Sequence, residues 1–421
     1  MRSIELFSGC GGLAFGIAEA GFRHDFVIEI DRNACSTLAL NKQNGVRHFS
    51  EWTITKGDIC DFDFSAITRP IGLVSGGPPC QPFSLGGKHK GPNDNRNMWP
   101  EAIRAVSELT PSAFIFENVK GLLRPAFSDY LDFIRLQLSW PELYTNRDWK
   151  TQLTKLRDHK KSNALPTYRV VIQEINAADY GAPQKRHRAI VMGIRSDLAD
   201  TVETPHITHS REALIWSQRV TGAYWEKHKI PRDKRPTISD SDQCILNELL
   251  EKGTEPKELP WVTVRDAIGD LPSPTIKGNA IMNHILHPGA RIYAGHTGSS
   301  WDEPAKALKA GAHGVPGGEN VLIERTEVRY FTIREMMRLQ GLPDDFVIDG
   351  SWVNAIKQLG NAVPVQVGKA FGNSIRKQLR AKTKARANHV RDFSIFRETP
   401  AGNGEKIIPF YGTALAFLKI K

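Results

Sequence analysis

A lone cysteine in a rigid loop is the first residue whose surroundings suit catalysis. Cys80 stands in the segment 78–84, Pro-Pro-Cys-Gln-Pro-Phe-Ser, directly after the apolar run 71–74. Proline fixes φ and removes a backbone donor, so the segment is neither helix nor sheet. A loop at the C-terminal end of a buried strand is where open α/β sheets bind ligands. The motif favours a thiolate nucleophile over the alternative, a buried structural thiol.

An acid and two arginines follow at the edges of later strand-like runs. Glu117 comes directly after an apolar run, and burial there favours the protonated carboxyl, which can act as a general acid. The alternative is a carboxylate close to a helix N-terminus. Arg186 and Arg188 alternate with a histidine, so we expect both guanidinium groups on one side of a strand, facing a polar substrate and a nearby phosphate. A solvated basic strand end is the alternative for this cluster.

The first loop of the chain has the spacing of a nucleotide-binding turn. Gly9 and Gly11 lie between a strand-like run and a helical one, and Glu29 lies near the end of the next strand-like run. Glycines allow the backbone to approach a ligand closely, and a carboxylate in that place accepts hydrogen bonds from ribose hydroxyls. Asp58 and Ile59 can add a polar contact and an apolar face for an adenine. These residues favour an adenosine-containing cofactor over a merely tight turn.

The elements that must position these residues alternate along the first 195 residues. Strand-like runs fall at 3–7, 26–28, 71–74, 113–116, 168–172 and 189–194, and a helical run falls at 13–20. Such alternation predicts an α/β fold, with a parallel sheet covered by helices on both faces. Residues 137–167 interrupt the series, and the spacing of Trp149, Leu153 and Leu156 predicts a surface helix within them.

The chain changes character after residue 195. Residues 196–325 have irregular periodicity and many glycines and histidines, which predicts a second, smaller domain rich in loops. Helical texture returns at 332–340 and at 363–377. Between these two runs, the pattern of residues 358–364 predicts a turn that begins a helix and contains Asn361.

Composition restricts the class of protein. The chain of 421 residues has a net charge of +10, and seven Lys and Arg residues without an acid fall in 376–391. This basic segment can contact a nucleic-acid backbone, or it can be a solvated helix face. The five cysteines are widely spaced, so we expect neither disulfides nor a zinc site. No long apolar run and no signal sequence are present, which predicts a soluble, intracellular protein.

Taken together and in this order, the segments resemble the DNA (cytosine-5) methyltransferase family of bacterial restriction-modification systems. The blocks that carry the resemblance span about residues 3–376. They are 7–12, Glu29 with Asp31, 58–59, 77–84, 117–119, 184–188, 334–343 and 358–364. Each block alone is weak evidence, whereas eight blocks in order are specific.

The resemblance implies S-adenosylmethionine as methyl donor and a role for each matching residue. Cys80 would attack C6 of a cytosine, Glu117 would protonate its N3, and Arg188, with Arg186 nearby, would complete the catalytic set. Gln81 and Ser84 would contact the DNA backbone, and no metal is expected. The implied cofactor-binding residues are Phe7, Gly9, Gly11, Gly12, Glu29, Asp58, Ile59, Pro79 and Asn361.

The resemblance also implies an organisation and a setting. Residues 1–195, completed by about 350–380, would form a Rossmann-like catalytic domain. Target recognition would fall to 196–325, its support to 326–349, and 381–421 would be an extension. The substrate would be duplex DNA with the target base flipped out. A monomer in the bacterial cytoplasm, paired in function with a restriction endonuclease, is expected. The alternatives are a cytosine-5 tRNA methyltransferase and a catalytically silent DNA-binding homologue.

Overall fold

The computed structural model describes seven stretches of the chain. They are residues 1–79, 97–145, 148–276, 280–291, 298–311, 320–324 and 327–395. Residues 1–379 form one compact unit. No helix in the described stretches combines the length and the apolar character needed to cross a membrane.

Strands and helices alternate through the first half, as the sequence predicts, and short elements dominate the second half. The strands are β1 (Arg2–Leu6), β2 (Arg23–Glu29), β3 (Thr53–Lys56), β4 (Leu73–Gly76), β5 (Ala113–Val119), β6 (Tyr168–Asn176), β7 (Gln184–Lys185), β8 (His187–Arg195), β9 (His209–Ser210), β10 (Leu259–Pro260), β11 (Ala305–Lys306), β12 (Val321–Glu324) and β13 (Glu327–Tyr330). The α-helices are α1 (Gly12–Glu19), α2 (Arg32–Gln43), α3 (Trp99–Leu109), α4 (Ser128–Ser139), α5 (Trp149–Lys161), α6 (Arg211–Ile215), α7 (Ala223–Lys227), α8 (Asp240–Lys252), α9 (Val264–Ile268), α10 (Ile333–Leu339), α11 (Trp352–Asn361) and α12 (Val365–Ile395).

One seven-stranded sheet forms the centre of the molecule, in the order β3-β2-β1-β4-β5-β8-β6. The pairs from β3 to β5 are all parallel, whereas β8 runs antiparallel to both β5 and β6. The α/β prediction is confirmed, and the expectation of a wholly parallel sheet is wrong for β8. The physical reason is the short connection from β6 to β8, since only antiparallel neighbours can be joined without a long crossover.

Strand alternation divides the core between the two faces of the sheet. Phe114 and Phe116 of β5 pack on one face with residues of α3, α4 and α5. Ala113 and Ile115 pack on the other face with residues of α1 and α12. A third apolar cluster joins α2 to α9, α10 and α11. Apolar clusters therefore cover both faces of the sheet, which gives a rigid frame to the loops that follow its strands.

Helix α5 is the surface helix predicted within the interruption at 137–167. Its Leu153 and Leu156 are buried in the cluster that covers the first face of the sheet. Asp148 caps its N-terminus by accepting hydrogen bonds from the N–H groups of Lys150 and Thr151. The interruption therefore adds a second layer outside α4 and leaves the loops at the sheet edge unchanged.

Helix α11 is an element that the sequence analysis did not predict. Residues 358–361 form its last turn, and α12 begins at Val365 after a short connection. Asn361 therefore ends one helix and does not open the next. The predicted helix at 363–377 is present as part of α12, which continues to Ile395.

Candidate active site

A cavity of about 440 Å³ opens along the C-terminal edge of the sheet. This volume lies within the roughly 300–1,000 Å³ that is typical of ligand pockets. Segments that follow β1 to β4 supply one part of its wall, and α11 with the segment after it supplies another. The lining residues are Glu5, Phe7, Ser8, Gly9, Leu13, Ile28, Glu29, Ile30, Asp31, Asn33, Ala34, Gly57, Asp58, Ile59, Gly77, Pro78, Pro79, Met98, Glu117, Asn354, Lys357, Gln358, Asn361, Ala362 and Val363.

The first loop, which lines this cavity, has an unusual backbone conformation. Phe7 has a φ of +54°, a left-handed conformation that costs a residue with a side chain roughly 1–3 kcal/mol. Gly9 shares this φ and lines the cavity, where an added Cβ would meet nothing within 4 Å. A Cβ on Gly12 would lie only 2.5 Å from the carbonyl oxygen of Val363. Gly9 therefore borders the ligand space, whereas Gly12 lets α1 approach the segment after α11.

The carboxylate of Glu29 ties the first loop to the end of β2. Its Oε2 accepts a hydrogen bond of 2.6 Å from the N–H of Gly9. Its Oε1 accepts from the N–H groups of Ile30 and Asp31, at 2.9 and 2.8 Å. Two carboxylate oxygens offer about four acceptor positions, so these three bonds leave capacity for a ligand hydroxyl. Glu29 is thus held rigidly at the cavity wall and can still accept from a ribose.

Most residues that the resemblance assigns to the methyl donor line this one cavity. These are Phe7, Gly9, Glu29, Asp58, Ile59, Pro79 and Asn361. Gly11 and Gly12 lie outside its lining. Asp58 accepts a hydrogen bond of 3.0 Å from the N–H of Cys60, which caps the single 3₁₀ turn that begins at Ile59. That cap places the apolar side chain of Ile59 beside a carboxylate, a surface suited to a purine.

Glu117 borders the same cavity and forms an ion pair with Arg188. The Nε of Arg188 lies 2.6 Å from Oε1 of Glu117, and their side chains are only 16% and 10% exposed. The register of the sheet explains the pairing. Val119 lies opposite Arg188 across β5 and β8, and Glu117, two residues earlier, projects from the same face. A carboxyl and a guanidinium are thus brought together at the cavity wall by an antiparallel register.

The segment that leads to the candidate nucleophile is held by the neighbour of Glu117. The buried side chain of Asn118 donates a hydrogen bond of 3.2 Å to the carbonyl of Pro78. Its Oδ1 accepts from the backbone of the next residue, so the amide is fixed at both ends. Cys80, Gln81 and Ser84 lie outside the described residues. The last described residue before Cys80 belongs to the cavity wall.

Arg186 lies away from the cavity, in the one-residue gap between β7 and β8. Its side chain is 2% exposed. Nη1 donates to the carbonyl of Leu308 at 2.9 Å, and Nη2 donates to the carbonyl of Gly360 at 2.8 Å. The simple alternation expected for the two arginines fails because the strand is interrupted at Arg186. The two guanidinium groups therefore reach different partners.

A buried acid at the cavity was missed by the sequence analysis. Glu5 lies in the middle of β1, where its register partner on β4 is Ser75, and the hydroxyl of Ser75 donates to Glu5 Oε2. Complete burial raises the pKa of Glu5 to about 8. The available signal was a charged residue inside an apolar strand directly before a glycine loop.

Several polar atoms in the cavity wall have no hydrogen-bond partner among the described residues. Glu5 Oε1, the hydroxyl of Ser8 and Oε1 of Gln358 are all buried in this way. Buried polar groups are normally satisfied, and exceptions cluster where a ligand or water completes them. At the rim, Lys357 of α11 donates to Asp31 at 2.8 Å, which links the two sides of the opening. Both features indicate that a polar ligand fits this cavity.

Two of the histidines described within residues 196–325 have structural partners. His284 is buried and lies 2.9 Å from Thr332 and 2.8 Å from the carbonyl of Pro272. His228 contacts Asp266, an acid that also caps α9. Among the described residues, no group of three or more His, Cys, Asp or Glu side chains could hold a metal ion.

Comparison with known proteins places this chain in a family. The family model described as C-5 cytosine-specific DNA methylase matches residues 1–377. The type II methyltransferase M.PspPI of a Psychrobacter species is 31% identical over 386 residues, which cover 90% of this chain and 80% of the relative. M.NgoMIV of Neisseria gonorrhoeae, also a type II methyltransferase, is 29% identical over 380 residues, covering 90% and 98%.

A solved structure supports the fold in the same way. The crystal structure of a putative DNA modification methyltransferase encoded within an Escherichia coli prophage has a TM-score of 0.55 to this chain. The alignment covers 90% of this chain and 99% of that one, at 22% sequence identity. Fold and family model agree, and family members use S-adenosylmethionine as methyl donor. The chain therefore belongs to the C-5 cytosine-specific DNA methylase family and is a DNA (cytosine-5) methyltransferase.

Proposed function

We propose that this enzyme methylates a cytosine flipped out of duplex DNA, through a transient bond between Cys80 and C6 of the base. The observation that carries the proposal is the ion pair of Glu117 and Arg188 at the cavity wall. The same wall contains Pro79, which directly precedes Cys80. A pyrimidine C5 is a poor nucleophile, so addition of a thiolate at C6 is needed to activate it.

The cavity residues suit the methyl donor group by group. Glu29 retains acceptor capacity for ribose hydroxyls, and Ile59 offers an apolar face with Asp58 beside it for the adenine. The unpartnered polar atoms of Glu5 and Ser8 suit the charged amino-acid end. When bound, S-adenosylmethionine supplies an electrophilic methyl group on a sulfonium.

The residues of this chain then perform the acid–base and covalent steps. The Cys80 thiolate forms a bond to C6, and Glu117 gives a proton to N3 as electrons move into the ring. Once C5 carries the methyl group, its proton is lost to solvent water, the returning electrons expel the Cys80 thiolate from C6, and N3 gives its proton back to Glu117. Arg188 holds the base and stabilises the thiolate. To act as the acid, Glu117 must take up a proton from solvent and exchange its ion pair with Arg188 for a contact to the base.

DNA contacts and biological setting follow from the same assignment. Flipping costs a few kcal/mol, and it is required because C5 chemistry is blocked inside the stack. Residues 196–325 would read the duplex, Gln81 and Ser84 would contact the DNA backbone, and residues 1–195 with 350–380 would carry the chemistry.

The type II names of the relatives support a modification enzyme that protects bacterial DNA from a paired endonuclease. We propose that it acts as a monomer in the bacterial cytoplasm.

The direct test is transfer of a labelled methyl group to a pool of random-sequence duplex DNA, followed by sequencing of the methylated positions. Label at C5 of cytosine within one short motif is expected. The Cys80→Ser variant should lose turnover by about 10³-fold or more, yet bind S-adenosylmethionine within severalfold of the wild type.

Two further measurements make the test discriminating. Duplexes with fluorine at C5 of cytosine should trap a covalent complex, since fluorine cannot leave as a proton does. DNA affinity should fall steeply with salt, because phosphate contacts release counterions. Label found only in RNA or on an exocyclic nitrogen, or near-normal methylation by Cys80→Ser, would contradict the proposal.

A further inference from the structure

The C-terminal end of α11 is held by side chains that come from distant parts of the chain. The last carbonyl groups of a helix have no partner within it and must be satisfied elsewhere. Here Gln340 donates to the carbonyl of Leu359 at 2.5 Å and to that of Ala362 at 3.4 Å. Arg186 donates to the carbonyl of Gly360, which lies between them. Three carbonyls in four residues are therefore bound by two buried side chains.

A third buried side chain holds Gln340, one of these two donors, in place. Gln184, with no exposed surface, donates to the side-chain oxygen of Gln340 at 3.0 Å and to the carbonyl of Leu339 at 2.8 Å. This bond fixes the amide of Gln340 so that its own N–H groups face α11. Arg186 lies two residues after Gln184, so the segment 184–186 supplies both the donor Arg186 and the side chain that orients Gln340. Loss of any of these bonds would leave a further buried polar group unpaired, beside Gln184 Oε1, which has no partner among the described residues.

The other arm of Arg186 reaches the recognition region. Nη1 donates to the carbonyl of Leu308, the second residue after β11, and β11 pairs in parallel with β7. The two backbones touch closely, since a Cβ on Gly360 would lie 2.2 Å from the nitrogen of Ala310. One guanidinium thus joins the end of α11 to the segment after β11. Its positive charge also suits the negative end of the helix dipole.

The residues that these bonds hold are part of the cavity wall. Asn361, Ala362 and Val363 line the cavity immediately after the bound carbonyl of Gly360. We propose that Arg186, together with Gln340, is a positioning residue for the methyl donor, which fixes the end of α11 and so the orientation of Asn361. This inference rests on the proposed place of S-adenosylmethionine in the cavity. It gives Arg186 a role that differs from contact with the reacting base.

A split between cofactor affinity and turnover separates the two roles. Calorimetric titration of the full-length protein with S-adenosylmethionine should show a Kd about tenfold higher for Arg186→Met, because charged hydrogen bonds are lost. Arg186→Lys, which keeps the charge but not the two-armed geometry, should fall between it and the wild type. Turnover at saturating cofactor should stay within about threefold of the wild type. A fall in kcat of about a hundredfold with unchanged cofactor Kd would overturn the inference.

A double-mutant cycle tests whether Arg186 acts through Asn361. Asn361→Ala should add little to the loss in Arg186→Met, because the side chain is already misplaced, so the two effects should be clearly less than additive. The control cycle uses Glu29→Ala, on the opposite wall, where additivity is expected. Additive behaviour in both cycles would contradict the mechanism. Should circular dichroism show that Arg186→Met is unfolded, Arg186→Lys and Gln340→Met give the same reading.

The control also separates this inference from the cavity assignment on which it rests. If Glu29→Ala leaves the cofactor Kd unchanged, the cavity does not hold S-adenosylmethionine and the proposed function fails with it. If Glu29→Ala weakens binding while the Arg186 and Gln340 variants bind as the wild type does, only the positioning role is wrong.

Discussion

The two halves of the central sheet build their parts of the site by different rules. In the parallel half, β1 to β4, ligand-facing residues follow the strands one after another, as Gly9, Glu29 and Asp58 do. In the antiparallel half, Glu117 and Arg188 meet because β5 and β8 pair in a particular antiparallel register. The first half assembles a binding surface from loop backbone and carboxylates, and the second assembles an acid with its counter-ion. Binding and proton transfer should therefore be separable by mutation.

The same contrast appears in two buried acids that line one cavity. Glu5 of the parallel half accepts from a neutral hydroxyl, and burial raises its pKa to about 8. Glu117 of the antiparallel half has a guanidinium 2.6 Å away. One carboxyl is stabilised as the neutral acid and the other is paired with a positive charge. The two acids therefore differ in what lies beside them, a hydroxyl for Glu5 and a guanidinium for Glu117.

The largest expected effect is on the antiparallel half. Glu117→Gln should reduce kcat by about 10²–10⁴, because the amide cannot donate the proton that N3 requires. The Kd for S-adenosylmethionine should stay within about twofold of the wild type. Single-turnover methylation and calorimetry measure the two quantities. Glu174→Gln, which removes an exposed carboxyl that pairs with Lys120 on the same half, is the matched control and should change neither.

The parallel half should give the opposite result. Glu29→Ala removes three hydrogen bonds to the loop backbone and the acceptor for the ribose. We expect the cofactor Kd to rise about tenfold to a hundredfold, with kcat at saturation little changed. Equilibrium titration measures this, with the exposed Glu51→Ala on the same half as control. A variant that loses kcat and keeps its affinity would break the division between the halves.

A smaller effect concerns pH and stability. The pKa of Glu5 is raised to about 8 from its ordinary value of 4.5, so across that window the folded chain holds a proton that the unfolded chain has lost. Stability should therefore fall as pH rises from about 5 to 8, by at most about 1.4 kcal/mol per pH unit from this group. Glu5→Gln cannot ionise and should remove this slope. Urea unfolding of both proteins at pH 5, 6, 7 and 8 measures it, and a difference that stays constant with pH would refute the assignment.

The smallest effect is expected at the rim, where the ion pair of Lys357 and Asp31 is partly exposed to solvent. Exposed pairs contribute only about 0–1 kcal/mol. Lys357→Met should therefore change the cofactor Kd by less than about threefold, with a difference that shrinks in high salt. Titrations at two salt concentrations check this. A change of tenfold or more would show that the lysine contacts the cofactor itself.

The sequence analysis located strands in both halves of the sheet, with β6 and β8 on the predicted runs 168–172 and 189–194. The strands β1, β2, β4 and β5 lie where apolar runs predict them, and the loops after β1 to β4 reach the cavity because parallel strands share one edge. Helix α11 was missed, and the reversal of β8 was not expected. Short connections and helix ends depend on contacts with distant residues, such as the bonds of Gln340 to the end of α11, which local patterns do not contain.

Order and residue type alone determined the family, the α/β class and which side chains can do chemistry, since strand ends and glycine loops are local properties of the chain. The tertiary structure decided which of these side chains meet. Arg186 and Arg188 stand two residues apart in one motif, yet one is bound to helix-end carbonyls and the other to an acid at the cavity. The reason is physical: an interrupted strand and an antiparallel register direct neighbouring side chains to partners far away in the sequence.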